Sequence, residues 1–356
     1  MAVIKDVAKL AGVSPSTVSK YLNNPDSLRE KNRAAIEYAI HKLNYSPNIF
    51  ARNLRIQNSR TIAVVAQEIT NPFHAKIYNT IRKIALTENY SVILYSINDV
   101  DGDLTSLLDS MPVNYFSGII VCYFHDMDKS IHFALDNKSM PFVIMSNVPY
   151  YGNSANIRIV FGDFGAGIEK IADYLIELGN KKIAYVGCMT RNPEIEPKYN
   201  GFMRAMNRAG LQPHSVVRLH KEYRAETGYE SARIILSEDV LPDAILVDND
   251  IMAMGVLRYL EEQGIDIPKE IMVTGFDDIA MSSFYCPALT TAHVQIEEMS
   301  IKAFNLLLEM MEGDIEGNEI PHFIPEIVIR ETTTSHNSTD TIYQMQANGG
   351  TTHETV

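Results

Sequence analysis

The chain has 356 residues, of which 46% are hydrophobic and 21% charged, a balance that suits a globular protein of two or three folding units with a sizeable core. No apolar run approaches the roughly 18 residues of a membrane helix, and Met1–Ile4 runs straight into charge without an export signal, so no membrane partner and a cytoplasmic location are expected. The net charge of −13 conceals a split: residues 1–60 carry 10 Lys+Arg against 4 Asp+Glu (+6), and the remainder carry 21 against 40 (−19). A basic head on an acidic body is the asymmetry expected when one end meets phosphate and the other does not. Cys122, Cys188 and Cys286 each stand alone in an apolar stretch, which predicts buried, reduced thiols and excludes a disulfide or zinc framework.

From the start of the chain, Ile4, Val7, Ala8 and Ala11 fall on one face of a short helix. Gly12 ends it in a tight turn. Ser14 then reads as an N-cap and Pro15 as the first helical residue, where its missing N–H costs nothing. Val18 and Leu22 face the first helix, while Ser16, Ser19 and Lys20 share the other face. A third helix over 30–43 offers Ile36, Ile40 and Leu43 to complete a small core. Together these form an all-α helix-turn-helix headpiece, whose second helix enters the major groove of DNA. Ser16 and Lys20, one turn apart, can reach base edges, with Lys20 suited to the acceptors of guanine. Ser14, Thr17 and Ser19 are short hydroxyl donors suited to phosphate, and Pro15 offers an apolar contact such as a thymine methyl.

Residues 47–55 can open a helix at Pro47, but they fall short of the roughly 12–15 residues that an isolated helix needs in water. The segment is expected to order when it packs on DNA and on a second copy of itself. Ala51 permits close helix approach. Leu54, between Arg52 and Arg55, has the makings of a minor-groove wedge flanked by phosphate contacts.

Ile4-Lys5-Asp6-Val7-Ala8-Lys9-Leu10-Ala11-Gly12-Val13-Ser14, followed by Ser16-Thr17-Val18-Ser19, closely resembles the headpiece of the lactose/galactose-repressor (LacI/GalR) family. Tyr45-Ser46-Pro47-Asn48 and Ala51-Arg52-Asn53-Leu54 resemble that family's hinge helix. The resemblance implies that Asn48, Ala51, Arg52, Leu54 and Arg55 meet DNA, with Leu54 levering open the central step of a palindromic operator. It also implies that Pro15, Ser16 and Lys20 set operator preference. Arg29 departs from the family pattern, which has a Ser capping the third helix; either Ser27 serves instead or that helix starts less firmly.

From Thr61 the texture changes to short β-branched runs alternating with amphipathic stretches. Strands are predicted at 61–66, 91–95, 118–122, 142–145, 182–187, 216–219, 244–247 and 271–275. Helices are predicted at 73–88, 165–178, 199–209, 227–236 and 251–263. Continuous apolar strands alternating with helices mean parallel sheets covered on both faces, and their number fits an α/β body of two doubly wound parallel-sheet lobes. Ligands of such sheets bind beyond the carboxyl ends of the strands, which here is a cleft between lobes.

Asn71-Pro72-Phe73, Asn249-Asp250-Ile251-Met252-Ala253-Met254-Gly255, Gly275-Phe276-Asp277-Asp278 and Pro287-Ala288-Leu289-Thr290-Thr291 resemble the periplasmic-binding-protein-like effector domain of the same family, and the likeness runs to about Arg330. It implies an effector pocket drawn from Asn71, Phe73, Arg191, Lys198, Tyr223, Asn249 and Asp277. The chemistry suits a polyol. Asp277 accepts two hydroxyl hydrogen bonds and Asn249 donates and accepts. Phe73 or Tyr223 can stack on an apolar ring face, although each fits ordinary core packing as well. Lys198 replaces the family's Arg before Gly201-Phe202, so a single point charge stands where a planar fork is usual. Phe161-Gly162-Asp163 replaces Val-Asp-Asn, so the ligand carboxylate is either displaced to Asp163 or absent. Glu194 and Glu196 either suit a cationic group or belong to a solvated loop.

Nothing in the sequence asks for an enzyme or a cofactor. There is no Gly-x-Ser-x-Gly, His-Glu-x-x-His or Cys-x-x-Cys, and Gly162, Gly165 and Gly167 run in the reverse order of the dinucleotide fingerprint. His74 lies beside the expected pocket. Residues 331–356 turn to Thr, Ser, Asn, Gln and Gly and lack leucine heptads, which predicts a disordered tail and a dimer. The expected organisation is a headpiece (1–46), a hinge helix and linker (47–60), a two-lobed effector and dimerisation domain (61–330) and the tail. The expected protein is a dimeric repressor of operator DNA controlled by a carbohydrate-like small molecule. The alternative is control by a protein corepressor docking on the body, with helix 295–312 as its face.

Overall fold

The computed structural model describes residues 2–23, 25–45, 60–97, 104–112, 115–122, 140–148, 154–189, 196–219, 223–313 and 320–334. The chain separates into two compact units, Met1–Ser59 and Arg60–Val356. The expectations for Asn48, Ala51, Arg52, Leu54 and Arg55 fall outside the described residues.

The first unit contains α1 (Ile4–Ala11), α2 (Pro15–Asn23), a 3-10 turn (Pro25–Ser27) and α3 (Glu30–Lys42). The Asp6 carboxylate accepts from the Val3 N–H at 2.9 Å and closes the first turn of α1. Gly12 ends that helix at φ +66°, a left-handed conformation that costs a residue without Cβ nothing. Val7, Ala8, Val18, Ile36 and Ala39 are buried between the helices, with Ile4, Ala11, Leu22, Ile40 and Leu43 packed around them. Each fully buried Val or Ile contributes about 1.5–3 kcal/mol over an exposed one, enough to hold so small a core. The Tyr21 hydroxyl donates to Glu37 at 2.9 Å and links α2 to α3. Arg29 precedes α3 and makes no side-chain cap bond, as its identity predicts. An Arg33–Asp26 ion pair at 3.2 Å ties the 3-10 turn to the helix instead.

The second unit carries two parallel sheets. In the first lobe the strands are β1 (Thr61–Ala66), β2 (Ser91–Ser96), β3 (Gly118–Cys122), β4 (Phe142–Ser146), β5 (Ile157–Gly162) and the short β11 (His322–Phe323), in the order β11-β5-β4-β3-β1-β2. In the second they are β6 (Ile183–Cys188), β7 (Ser215–Leu219), β8 (Ala244–Val247) and β9 (Met272–Thr274), in the order β7-β6-β8-β9. β10 (Thr291–His293) pairs antiparallel with β12 (Glu326–Val328). Helices α4 (Pro72–Thr87), α5 (Leu104–Ser110), α6 (Phe164–Glu177), α7 (Pro197–Arg208), α8 (Ala225–Ile235), α9 (Asp250–Glu262) and α10 (Ile296–Glu312) cover the sheets. β1, β3, β4, β6 and β8 are buried at every residue, which is why they read as unbroken apolar runs.

The chain crosses between lobes three times: from β5 into α6, from β10 into α10, and from β11 into β12. One apolar core runs through these crossings and includes Ile62, Phe73, Phe164, Phe202, Phe276 and Phe304.

Pattern reading misses β5, β10, β11, β12 and α5. β5 is interrupted by the part-exposed Arg158 and Phe161, and the others are too short to show a period. The packed chain also continues past Arg330. Thr332 and Thr333 are buried, and Thr332 N–H donates to the Ala288 carbonyl at 3.0 Å. The Thr290 N–H donates to the Thr332 hydroxyl at 2.8 Å, so a polar stretch that resembles a tail is stitched in by its hydroxyls. Cys122 and Cys188 are buried as expected, but Cys286 is exposed, because it follows Phe284 and Tyr285 on a surface loop.

The α8–α9 pair approaches backbone to backbone. A Cβ on Gly255 would fall 1.8 Å from the Ala225 carbonyl oxygen. Gly255→Ala is therefore expected to destabilise the body by about 1–3 kcal/mol, read as a lower melting temperature in calorimetry. An unchanged melting temperature would mean that the two helices do not pack this closely.

Candidate nucleic-acid interface and effector cleft

The first turn of α2 gathers hydroxyls. The Ser14 Oγ accepts from the Thr17 N–H at 3.1 Å, capping the helix, and lies 2.7 Å from the Ser16 Oγ and 2.8 Å from the Thr17 Oγ1. Ser14, Pro15, Ser16 and Lys20 are exposed, Thr17 and Ser19 are half-buried, and Val18 on the opposite face is fully buried. The cap sets the direction of the helix start, and the partial positive charge of that terminus adds to Lys20 in favouring an anion. The arrangement can hold a phosphate at the helix start and present Ser16 and Lys20 beyond it.

In the body, every described residue of the expected pocket follows the carboxyl end of a strand, with Asn71 and Phe73 after β1, Asp163 after β5, Lys198 after β6, Tyr223 after β7, Asn249 after β8 and Asp277 after β9. Arg191 lies outside the described residues. Three of the polar residues turn out to be helix caps. Asn71 accepts from the Phe73 N–H at 3.0 Å, Asn249 from Met252 N–H at 2.9 Å, and Asp163 from Ala166 N–H at 2.9 Å. The second Asp163 oxygen faces His322 Nε2 at 3.5 Å, so this carboxylate is already engaged.

The lobes meet at aromatic rings. Phe73 of the first lobe stands edge-on to Phe164, 6.4 Å between centroids, and Phe164 stands 5.4 Å from Phe276 of the second. The Lys198 ammonium sits 4.2 Å above the Phe276 ring and 5.6 Å from that of Phe164, and donates to the Asp248 carbonyl at 2.7 Å. The Asp248 carboxylate accepts from Tyr185 at 2.7 Å and from Tyr223 at 3.4 Å. Burial, reinforced by Asp248, holds both phenols well above the ordinary tyrosine range. Tyr223 is thus a cleft-side donor to Asp248, a use that composition alone does not suggest.

Asp277 takes φ +115° and Asp278 φ +53°, a left-handed pair that bulky residues rarely adopt. Asp278 is locked by Arg330 at 2.6 Å and His293 at 2.9 Å. Asp277 is half-buried just past the carboxyl end of β9, and burial pushes its carboxyl well above the usual range, with Lys198 pulling it only partly back. Beneath it, Asp250 is fully buried and accepts from Ile279 N–H at 2.9 Å, Ser282 Oγ at 2.7 Å and Thr291 Oγ1 at 2.5 Å; burial outweighs these bonds and raises it to about 6.

On the first lobe, His74 follows Phe73, is 7% exposed, and is held by burial at about 4, hence neutral; its Nδ1 has no partner among the described residues. Asn147, directly after β4, is 5% exposed and its Oδ1 likewise has no partner. Asn147, Asp248, Tyr185 and Phe164 are missed by motif reading. For Asn147 and Asp248 the signal was present, since each is the first or second residue past the carboxyl end of a predicted strand. Glu196 is neither solvated nor open to a cationic ligand, because it is buried and paired with Arg218, which in turn stacks 4.3 Å over Tyr199.

Because the folded state holds a proton on Asp277 more tightly than the unfolded chain does, its ionisation costs stability above the raised value. Asp277→Asn is expected to melt higher than the wild type above neutrality, with the gap closing as pH falls through that raised value toward the ordinary carboxylate range. A variant that melts lower at alkaline pH would show that Lys198 compensates the charge in full.

Among the described residues no cluster of His, Cys, Asp and Glu could hold a metal, and no helix is long and apolar enough to cross a membrane. Residues 3–48 match the family model described as bacterial regulatory proteins, lacI family, and residues 172–333 match a periplasmic binding protein-like domain. The HTH-type transcriptional repressor PurR of Histophilus somni (strain 129Pt) is 30% identical over 331 residues, covering 93% of this chain and 98% of that protein. The lac repressor dimer, solved with operator and the anti-inducer ONPF, superposes with a TM-score of 0.77 at 26% identity, covering 94% of this chain and 99% of the other. A LacI family transcriptional regulator from Enterococcus faecium, solved with bound ribose, superposes with a TM-score of 0.67 at 25% identity, covering 77% and 98%. A three-helix head that presents a capped, hydroxyl-rich second helix, and a two-lobed α/β body, thus accord with whole-length likeness: like the repressors it matches, the chain belongs to the lacI family of bacterial regulatory proteins and is a DNA-binding transcriptional repressor, not an enzyme.

Proposed function

We propose that the protein binds a palindromic operator as a homodimer and that a small molecule, a carbohydrate, in the interlobe cleft sets its affinity for DNA. The observation that carries the DNA half is the exposed face Ser14, Pro15, Ser16 and Lys20 on α2, backed by the fully buried Val18. Ser16 and Lys20 read base edges, Ser14, Thr17 and Ser19 hold phosphates, and Pro15 touches a thymine methyl. In the hinge segment Leu54 is the minor-groove wedge, Arg52 and Arg55 bind the flanking phosphates, Asn48 meets DNA beside them, and Ala51 permits the close approach of two copies.

Dimerisation is supported by an apolar patch on the second lobe. Phe284 is 82% exposed and Met281 54% exposed, beside a groove lined by Tyr229, Met254, Arg258 and Tyr285. So large an exposed aromatic is costly on a free surface and suits a second copy. The effector half rests on Asp277, whose cleft-side carboxylate has no hydrogen-bond donor among the described residues, and on the ribose bound by the E. faecium regulator. Coupling requires the ligand to bind the two lobe arrangements with different affinity; a ligand indifferent to closure shifts nothing. The three crossings between lobes are where closure bends the chain.

Two measurements test these assignments. Lys20→Ala is expected to weaken binding to the preferred operator by about 1–3 kcal/mol and to relax discrimination at one base position, read by fluorescence anisotropy against a set of operator variants. Affinity and preference that both survive the substitution would remove Lys20 from base reading. Phe284→Glu is expected to move the protein from dimer to monomer in analytical ultracentrifugation and to weaken operator binding with it; a variant that stays dimeric would place the interface elsewhere.

A further inference from the structure

Tyr21 stands one position after Lys20 and three after Val18, so its ring packs half-buried at the rim of the head's small core. α2 packs mainly on α1 and on the 3-10 turn and meets α3 at few points. Its start is fixed by the Ser14 cap and by the Val13 N–H, which donates to the Ala8 carbonyl at 3.0 Å. Towards its end, the Tyr21 hydroxyl donates to the Glu37 carboxylate of α3 at 2.9 Å. Among the described residues no other side-chain hydrogen bond joins these two helices. Burial and that carboxylate raise the phenol above its ordinary range, so it stays a donor at working pH. One turn before Glu37, Arg33 pairs with Asp26 at 3.2 Å, which ties the 3-10 turn that follows α2 to the same face of α3.

The rotation of α2 about its own axis decides which of its atoms reach a base edge. Side-chain tips stand about 5–6 Å from that axis, so a turn of about 15° moves them by roughly 1.5 Å. A hydrogen bond to a base does not tolerate that displacement. Phenylalanine would fill the space of the Tyr21 ring, so what the hydroxyl adds among the described residues is the bond to Glu37. Glu37 is itself exposed on a basic head, where a carboxylate repels phosphate. We propose that Tyr21, held by Glu37, is a positioning residue that sets the rotation of α2 and so the base preference expressed through Ser16 and Lys20. The inference rests on α2 being the helix that reads base edges. Tyr21 touches no DNA in this role and acts through its neighbour Lys20.

The test uses the full-length protein and fluorescence anisotropy on two duplexes. One is the duplex that the wild type enriches from a randomised palindromic library, and the other is a shuffled duplex of the same length and composition. Tyr21→Phe is expected to weaken binding to the enriched duplex about 3–10-fold, the range of one hydrogen bond, and to leave binding to the shuffled duplex unchanged. Glu37→Ala is expected to lose discrimination likewise while binding the shuffled duplex at least as tightly. Glu37→Gln still offers an acceptor and is expected to retain most of the discrimination. In the Lys20→Ala background, Tyr21→Phe is expected to cost no further discrimination at the base position that Lys20 reads, an outcome that a mere loss of head stability would not produce. An equal loss on both duplexes makes the Tyr21 hydroxyl a phosphate contact and overturns the proposal. Full discrimination in Tyr21→Phe, with discrimination lost in Lys20→Ala, overturns it as well but leaves α2 as the reading helix. Discrimination that survives both Lys20→Ala and Ser16→Ala overturns the reading of α2 itself, and this inference with it.

Discussion

Lys198 holds one wall of the cleft together. Its ammonium ties the start of α7 to the carbonyl just past β8 and to the ring that follows β9, so a helix start and two strand ends are joined by one side chain. An ammonium moved out of water must regain its lost hydration, and a charge-assisted hydrogen bond with a cation–π contact of about 0.5–2 kcal/mol does so locally. The same contacts explain why lysine serves where the planar fork of arginine would be expected: a compact charge fits above a ring and against one carbonyl. The neighbouring Asp277 resists ionising because it is buried, and the nearby Lys198 charge offsets that only in part.

Below this wall, Asp250 converts sequence neighbours into geometry. Its three hydrogen bonds reach Ile279, Ser282 and Thr291, and its own N–H donates to the Phe276 carbonyl at 2.8 Å. The loop it anchors carries the strained Asp277-Asp278 pair at one end and the exposed Met281 and Phe284 at the other. A site kept in a rarely adopted backbone conformation persists only when its surroundings over-determine it, and here Asp250, Arg330 and His293 do so. The arrangement is costly: a fully buried carboxyl raised to about 6 and a second one raised beside it both lower stability at neutral pH. Such costs concentrate at sites kept for binding.

The head obeys a simpler logic. A core of five buried side chains is small, so its helices depend on local devices as well: the Asp6 cap, the Gly12 turn, the Ser14 cap and the Tyr21–Glu37 bond. The Ser14 cap organises the hydroxyl cluster that faces outward, so the group that starts α2 also shapes the surface it offers.

The sequence by itself determined the three helices of the head, their turn residues and the alternating strands and helices of the body, because periodicity and capping are local and survive without neighbours. It also determined that the residues expected to line a pocket follow strand carboxyl ends, since doubly wound sheets leave little choice. Only the tertiary structure decided what those residues do. Asn71, Asn249 and Asp163 have their oxygens taken by helix caps, Glu196 is neutralised by Arg218 twenty-two positions away, and Lys198 is spent on Asp248 and Phe276. The Asn147 Oδ1 and the His74 Nδ1 have no hydrogen-bond partner among the described residues, a property that no single position in a sequence can display. The physical reason is common to all of them: a polar group's availability is set by which distant donors and acceptors the fold brings within reach, and that is not written in its neighbours along the chain.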